Sequence, residues 1–398
     1  MKIKSLKKDI LFYLIFELFL GIFVGAYGFL LGPYIMSIGY KENLVGTISL
    51  VQTTSFALFA YFAGILSTKF KTKTLFVLSS LLCFFSSLLF AFYVKIITII
   101  LATIIYALGL SIVVVIKTPF IVKNTKGFNT VKIISIVLAY CITTNLIGNY
   151  LAGYISSILE YRKVWFIFGL FSLLSALPAL LIKSDKTNIS KVEYRKIQIT
   201  PRMIFLILYT SLGSFAFGLI GSYYTTFLIN KLNLNAKNAS FINSFNIIGT
   251  ILAMFISPYI SKRIGKTKTL WYTKVLCFPT LCGLSFISLI SKLSIPLLSL
   301  LYFLRALFLN IPIPIENDLI LKSVSLENQA KFNSLVVLTN NITISLSSLM
   351  AGFIISEMPN GYEISFILSS IFFLMQGFMF YKFSSNFIKK NKNDGLYF

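Results

Sequence analysis

Apolar stretches long enough to cross a bilayer recur along this chain, near residues 10–38, 44–66, 74–94, 96–116, 131–158 and 164–182, and again near 203–229, 241–260, 270–290, 295–315, 335–355 and 364–383. A spanning helix needs about 20 predominantly apolar residues, and each stretch meets that length. Polar positions gather in short connections between them, apart from one longer polar segment at 183–202. The pattern predicts an all-α polytopic membrane protein of twelve transmembrane helices in two six-helix bundles. Residues 1–182 form the first bundle, 183–202 the central loop, and 203–398 the second bundle with its polar tail.

The two halves also share sequence. Lys71-Thr72-Lys73-Thr74-Leu75 returns unchanged as Lys266-Thr267-Lys268-Thr269-Leu270, 195 positions later in a chain of 398, and each copy lies between two apolar stretches. Thr144-Asn145 and Thr339-Asn340 repeat at the same offset. An internal period fixes architecture before any single residue does. A membrane chain of two like halves is the plan of secondary transporters, whose substrate sites lie where the repeats meet.

Composition narrows the classes further. Hydrophobic residues make up 57% and charged residues 12%, against about 25% charged in a soluble domain. Histidine is absent. Imidazole is the commonest general base and metal ligand near neutral pH, so metal-dependent and His-assisted membrane hydrolases are disfavoured. The four cysteines lie inside apolar stretches without CxxC spacing and read as small apolar filler. No metal site and no cofactor is called for.

The net charge of +24 is scattered over short connections, a distribution that serves topology and not nucleic acid. With the N-terminus inside, 28 of the 36 Lys and Arg fall on cytoplasmic segments, Lys117 and Lys274 counted among them, 7 fall outside, and Arg305 lies within a span. The bias of basic residues toward the cytoplasm places both termini there, in a plasma (inner) membrane. The basic start and first apolar stretch lack a small-residue cleavage site, so helix 1 reads as retained.

Flanking the repeat, the first half has Gly64, Thr68, Lys69, Lys71 and Lys73, and the second has Pro258, Lys262, Arg263, Gly265, Lys266 and Lys268. Further on, Glu327-Asn328-Gln329-Ala330-Lys331 leads into Phe332-Asn333-Ser334-Leu335, and Ile147-Gly148-Asn149-Tyr150-Leu151-Ala152-Gly153 lies in helix 5. This set resembles the major facilitator superfamily, with its Gly-x3-Asp-Arg-x-Gly-Arg-Arg loops and its Gly-Pro-x-x-Gly-Gly stretch in drug–proton antiporters. Thr68 and Lys262 stand where the family has Asp, and Lys71 where it has the first turn Gly. The resemblance implies a gating role for Gly64, Lys69, Lys73, Arg263, Gly265 and Lys266. The plainer reading is that these basic residues only hold their loops on the cytoplasmic side.

Two charges stand deep in apolar stretches, where insertion costs roughly 2.5–3.5 kcal/mol each and function is the default hypothesis. Glu17 lies on helix 1, on one stripe with Gly21, Gly25, Gly28 and Gly32. Spacings of three and four share a helix face, and small residues mark close packing inside bundles. Arg305 lies near the middle of helix 10. Both are candidates for substrate binding or coupling, with Glu17 as the proton-responsive group; structural pairing is the alternative for each. The resemblance implies that helices 1, 4, 7 and 10 line a central cavity, with Tyr106, Asn145, Tyr209, Asn310 and Asn340 as candidate lining residues. Pro312 and Pro314 predict a break or bend after Asn310. Glu316 and Asp318 fall toward the end of helix 10, near Lys322, where they read as solvated or ion-paired.

The expected function is secondary active transport by alternating access, coupled to protons, with export of amphipathic small molecules leading. An uptake permease for a small metabolite or organic anion is the alternative. From other classes, a membrane enzyme would need a polar catalytic cluster, and a non-transporting receptor would have no use for buried charges. The expected partners are the bilayer, a small-molecule substrate and the proton. Nucleic acid is excluded and a monomer is expected.

Overall fold

The computed structural model describes residues 8–125, 130–183, 200–287, 294–324 and 329–390. Among them there are helices and turns but no strands. In lipid the backbone must satisfy its own polar groups, and a helix does so within one segment. The first half runs α1 (Lys8–Ser37), α2 (Glu42–Lys69), α3 (Thr72–Phe92), α4 (Ile96–Asn124), α5 (Thr130–Ser156) and α6 (Tyr161–Leu181). The second runs α7 (Pro201–Gly221), the short α8 (Tyr224–Thr226) with a π-helical turn at Phe227–Lys231, α9 (Ala236–Ile264), α10 (Lys266–Ile287), α11 (Ile295–Asn310), α12 (Ile313–Lys322), α13 (Gln329–Glu357) and α14 (Gly361–Lys390). Pro201–Lys231 and Ile295–Lys322 each count as one span, so the described residues hold twelve helical segments of membrane-crossing length and apolarity. The protein is a multi-pass membrane protein.

The chain divides into two compact units. Unit 1 is Met1–Tyr40, Ile48–Glu193 and Leu234–Ser240; unit 2 is Lys41–Thr47, Tyr194–Asn233 and Phe241–Phe398.

In unit 1, α1 packs on α5 and α6, and α3 on α4 and α6. The α1–α5 crossing is very close. A Cβ on Gly25 would lie 2.0 Å from the Asn145 carbonyl oxygen, and one on Gly148 2.0 Å from that of Ile22. Glycine therefore lets the two backbones touch, as the stripe on helix 1 predicts, although Gly28 faces open space. Four serines on α3 bind its neighbours. Ser79 and Ser86 each donate to α4, at the carbonyls of Gly109 and Ala102, at 2.7 Å. Ser87 donates to the Trp165 carbonyl of α6, and Ser80 bonds Ser175 at 2.6 Å. Such bonds join helices where apolar burial offers no driving force.

In unit 2, α10 packs on α14 and α11, and α7 on α13 and α14. Two of its spans are broken, at Ser222–Tyr223 and at Ile311–Pro312. The second break is the one Pro312 predicts. The carbonyls near each break find side-chain donors: Tyr302 Oη reaches the Tyr224 carbonyl at 3.0 Å, and Ser257 Oγ the Ile311 carbonyl at 2.7 Å.

Candidate functional site

Arg305 lies on α11, before the second break, and contacts Tyr224, which adjoins the first. It is 3% exposed. Its guanidinium carbon stands 3.8 Å from the centre of the Tyr224 ring, and one terminal nitrogen donates to the Tyr224 hydroxyl at 2.5 Å. The other terminal nitrogen donates to Asn246 Oδ1 of α9. Nε is buried and has no partner. Among the described residues no carboxylate pairs with it. A guanidinium carries five donors and a charge that persists at any ordinary pH. Here a full positive charge is held by neutral oxygens alone, with donor capacity to spare. One and a half turns on, Asn310 Nδ2 donates to Thr250 Oγ1 at 3.1 Å and to the Ala306 carbonyl at 2.7 Å.

Nearer the other end of unit 2 lies a second charged group. Tyr209 Oη of α7 donates to Glu316 Oε1 of α12 at 2.8 Å, and Lys274 Nζ of α10 stands 3.8 Å from the same oxygen. Lys274 is 3% exposed, and its ammonium lies 5.1 Å from the Phe373 ring centre of α14. Asp318 pairs with Lys266 at 2.5 Å and with Lys322 at 2.9 Å. Sequence reasoning missed this buried pair because it counted Lys274 with the basic loop. In the structure Gly265, at φ +86°, ends α9, and α10 starts at Lys266, which carries Lys274 about 12 Å into the span at 1.5 Å per residue.

In unit 1 Glu17 is 6% exposed and accepts a bond from Tyr13 Oη one turn earlier, at 2.8 Å. Lys117 Nζ reaches the Cys141 sulfur of α5 at 3.8 Å, and that thiol also lies within bonding reach of Glu17. Lys117 too was assigned to a connection; α4 runs on to Asn124 and keeps it on the helix. The partners of Glu17 thus come from unit 1 and those of Arg305 from unit 2.

The remaining candidates are scattered. Tyr106 is buried in an aromatic cluster, stacked on Tyr27 at 3.6 Å and 7°. Asn145 lies at the α1–α5 crossing, and Asn340 is half-buried on α13 with an unpartnered Oδ1. Lys69 and Arg263 are exposed at the ends of α2 and α9, and Lys73 is half-buried in the first turn of α3. Gly64 has open space around it, as has Gly265. Lys71, which stands where the resemblance has glycine, adopts φ −68° and ψ 144°, a backbone open to any residue.

A family model, the Major Facilitator Superfamily, matches residues 13–348. The chain belongs to that superfamily, a family of membrane transporters. No curated protein matches the sequence. Among solved structures, the nucleoside transporter NupG is similar with a TM-score of 0.78 and 15% identity over 94% of this chain and 98% of its own. A bacterial homologue of the iron transporter ferroportin, in an inward-facing state, gives 0.76 and 18%, covering 96% and 100%. The xylose transporter XylE from E. coli, in an inward-open conformation, gives 0.75 and 12%, covering 94% and 96%. At these identities the likeness is one of fold.

Proposed function

We propose that the protein is a proton-coupled secondary transporter working by alternating access, and that its solute is a small organic anion held at Arg305. One observation carries the choice of solute: Arg305 is buried among neutral oxygen partners, with Nε unpartnered and, among the described residues, no carboxylate paired with it. A buried charge without a counter-charge is costly, and an anionic solute would supply one. Discontinuous helices frame such sites in secondary transporters; the break at Ile311–Pro312 follows Arg305 on the same span, and Tyr224, which Arg305 contacts, adjoins the other break. Glu17, buried beside Tyr13 and Cys141, is the proposed proton-responsive group of unit 1.

The test is counterflow in proteoliposomes with a panel of carboxylates, phosphates, neutral sugars, nucleosides and amphipathic cations, with and without a pH gradient. Exchange confined to anions is expected. Exchange of the amphipathic cations alone would overturn the choice of solute and return the reading to efflux of amphipaths. Both termini are proposed to face the cytoplasm of a plasma (inner) membrane. Cysteines placed at Asn43 and Asn235 should then be protected only by a quencher added outside.

A further inference from the structure

A cavity of about 530 Å³ opens in unit 1 where α3 ends and α6 begins. Tyr34, near the end of α1, donates to the carbonyls of Phe90 and Tyr93 at 2.8 and 3.3 Å, so the cavity lies at the end of the bundle opposite the start of α1. Its charged wall is Glu160, Arg162 and Lys163, and its apolar wall includes Phe92, Leu159 and Phe166. The two phenylalanine rings meet edge-on at 6.1 Å and, like Leu159, are exposed. With the N-terminus inside, this is the side that basic residues avoid, yet Arg162 and Lys163 stand there next to each other.

The guanidinium is fixed in place. Arg162 Nε donates to the Ala91 carbonyl at 2.8 Å, and one terminal nitrogen donates to the Phe92 carbonyl at 3.1 Å. These bonds cap the last turn of α3. They use two of five donors, and the other three, which include the parallel pair of the outer edge, have no partner among the described residues. Lys163 and Glu160 form no ion pair among the described residues either. By contrast, Lys231 pairs with Glu363 at 2.9 Å, and the Lys237 ammonium lies 5.4 Å from the Tyr154 ring centre.

We propose that this cavity binds a phospholipid with a monoanionic phosphodiester headgroup, of the phosphatidylglycerol type. Basic pockets between spans bind lipid headgroups. The phosphate accepts from the outer edge of Arg162, whose fork suits a bidentate pair, and from Lys163, while the acyl chains leave over Phe92 and Phe166. Two cations and one carboxylate leave one positive charge, which a phosphodiester balances and a zwitterionic headgroup does not. Glu160 repels the second charge of a free phosphate dianion, and a soluble anion gains nothing from the apolar wall. A lipid bound to the folded unit alone stabilises it by mass action. The site is independent of the transport reading, and in the orientation proposed above its lipid comes from the outer leaflet.

The full-length protein, delipidated in mild detergent, is offered dioleoyl phosphatidylglycerol, phosphatidylethanolamine, phosphatidylcholine or inorganic phosphate. Native mass spectrometry reads the lipid retained, and thermal unfolding reads the melting temperature. Phosphatidylglycerol should be retained in preference to both zwitterionic lipids and should raise the melting temperature, whereas inorganic phosphate should not raise it. Lys163→Gln should keep the lipid-free melting temperature and lower retention roughly tenfold, the scale of one charge-assisted hydrogen bond. Arg162→Gln should also lose retention, with a lower melting temperature because α3 loses its cap. Glu160→Gln and Lys237→Gln should retain at least as much lipid as wild type. Equal retention of the three lipids, full retention in Lys163→Gln, or a melting temperature raised as much by inorganic phosphate would each overturn the proposal. Loss of retention in Lys237→Gln would make the effect one of diffuse surface charge and overturn the site. Loss in Glu160→Gln would place an ammonium at that carboxylate and overturn the choice of headgroup.

Discussion

The two units solve the same problem, filling the inside of a helix bundle in lipid, by different means. In unit 1, α1 and α4 run unbroken for 30 and 29 residues through Pro33 and Pro119, and rings fill the space between helices. Tyr27 stacks on Tyr106, and Phe90 on Trp165 at 4.4 Å. In unit 2 the spans in the matching sequence positions are broken, and the space near the breaks holds Arg305 with Tyr224, Tyr302 and Asn246. A packed aromatic core has one arrangement of lowest energy and resists change. A buried cation with spare donors accepts a ligand, and breaks let the surrounding backbone reorient. Unit 1 is thus read as scaffold and unit 2 as the unit that binds.

Removing the cation breaks that contrast most severely. Arg305→Ala deletes the charge that the anion would meet, and hydrogen bonds to charged groups are worth about 1.5–3 kcal/mol. Counterflow should fall roughly 10- to 100-fold, in line with that range. Arg305→Lys keeps the charge but loses the planar fork, and should transport only weakly. Expression should survive in both. Normal exchange by Arg305→Ala would make the residue structural and erase the distinction between the units.

The scaffold reading of unit 1 predicts damage to stability instead. Gly25→Ala puts a methyl 2.0 Å from the Asn145 carbonyl oxygen, which forces α1 and α5 apart. Overpacking of this kind costs about 1–3 kcal/mol, seen as a lower melting temperature in detergent. An unchanged melting temperature would show that the crossing is looser than it looks.

How much of this was legible follows from where each feature is encoded. The spans were, because length and apolarity are local. Arg305 was, because a charge amid an apolar stretch stands out, and so was the break at Pro312. The break at Ser222–Tyr223 was not. It has no proline, and the bonds that hold it, Tyr223 Oη to the Ser348 carbonyl at 2.7 Å and Tyr302 Oη to the Tyr224 carbonyl, come from 125 and 78 residues away. Lys274 and Lys117 were misplaced because charges two turns inside a span look like loop charges until the helix start or end is known. Tyr106 is a lining candidate by its place on helix 4, and its stacking on Tyr27, a residue of another helix, was not legible.

Glu17 is the exception inside unit 1, and it sharpens the comparison. Glu17→Gln keeps the size and the bond from Tyr13 while removing the ability to carry a proton. If unit 1 contributes to coupling, accumulation driven by a pH gradient should fall by about tenfold, roughly 1.4 kcal/mol, with counterflow at equal pH unaffected. Unchanged pH-driven accumulation would make unit 1 scaffold throughout.

The smallest effect is expected where the scaffold reading is purest. Tyr106→Phe removes one hydroxyl and leaves the ring that stacks on Tyr27 and meets Phe23 edge-on at 6.0 Å. Ring stacking is worth about 0.5–1.5 kcal/mol beyond burial, and phenylalanine preserves it. Stability should therefore change by less than about 1 kcal/mol, the scale of a single net hydrogen bond, and the affinity for the anion should not change. Tyr106→Ala, in contrast, opens a cavity and should cost about 3–5 kcal/mol, as for other buried aromatics, again without altering which solutes exchange. A change in solute preference in Tyr106→Phe, at undiminished stability, would place the hydroxyl in contact with substrate and move part of the binding site into unit 1.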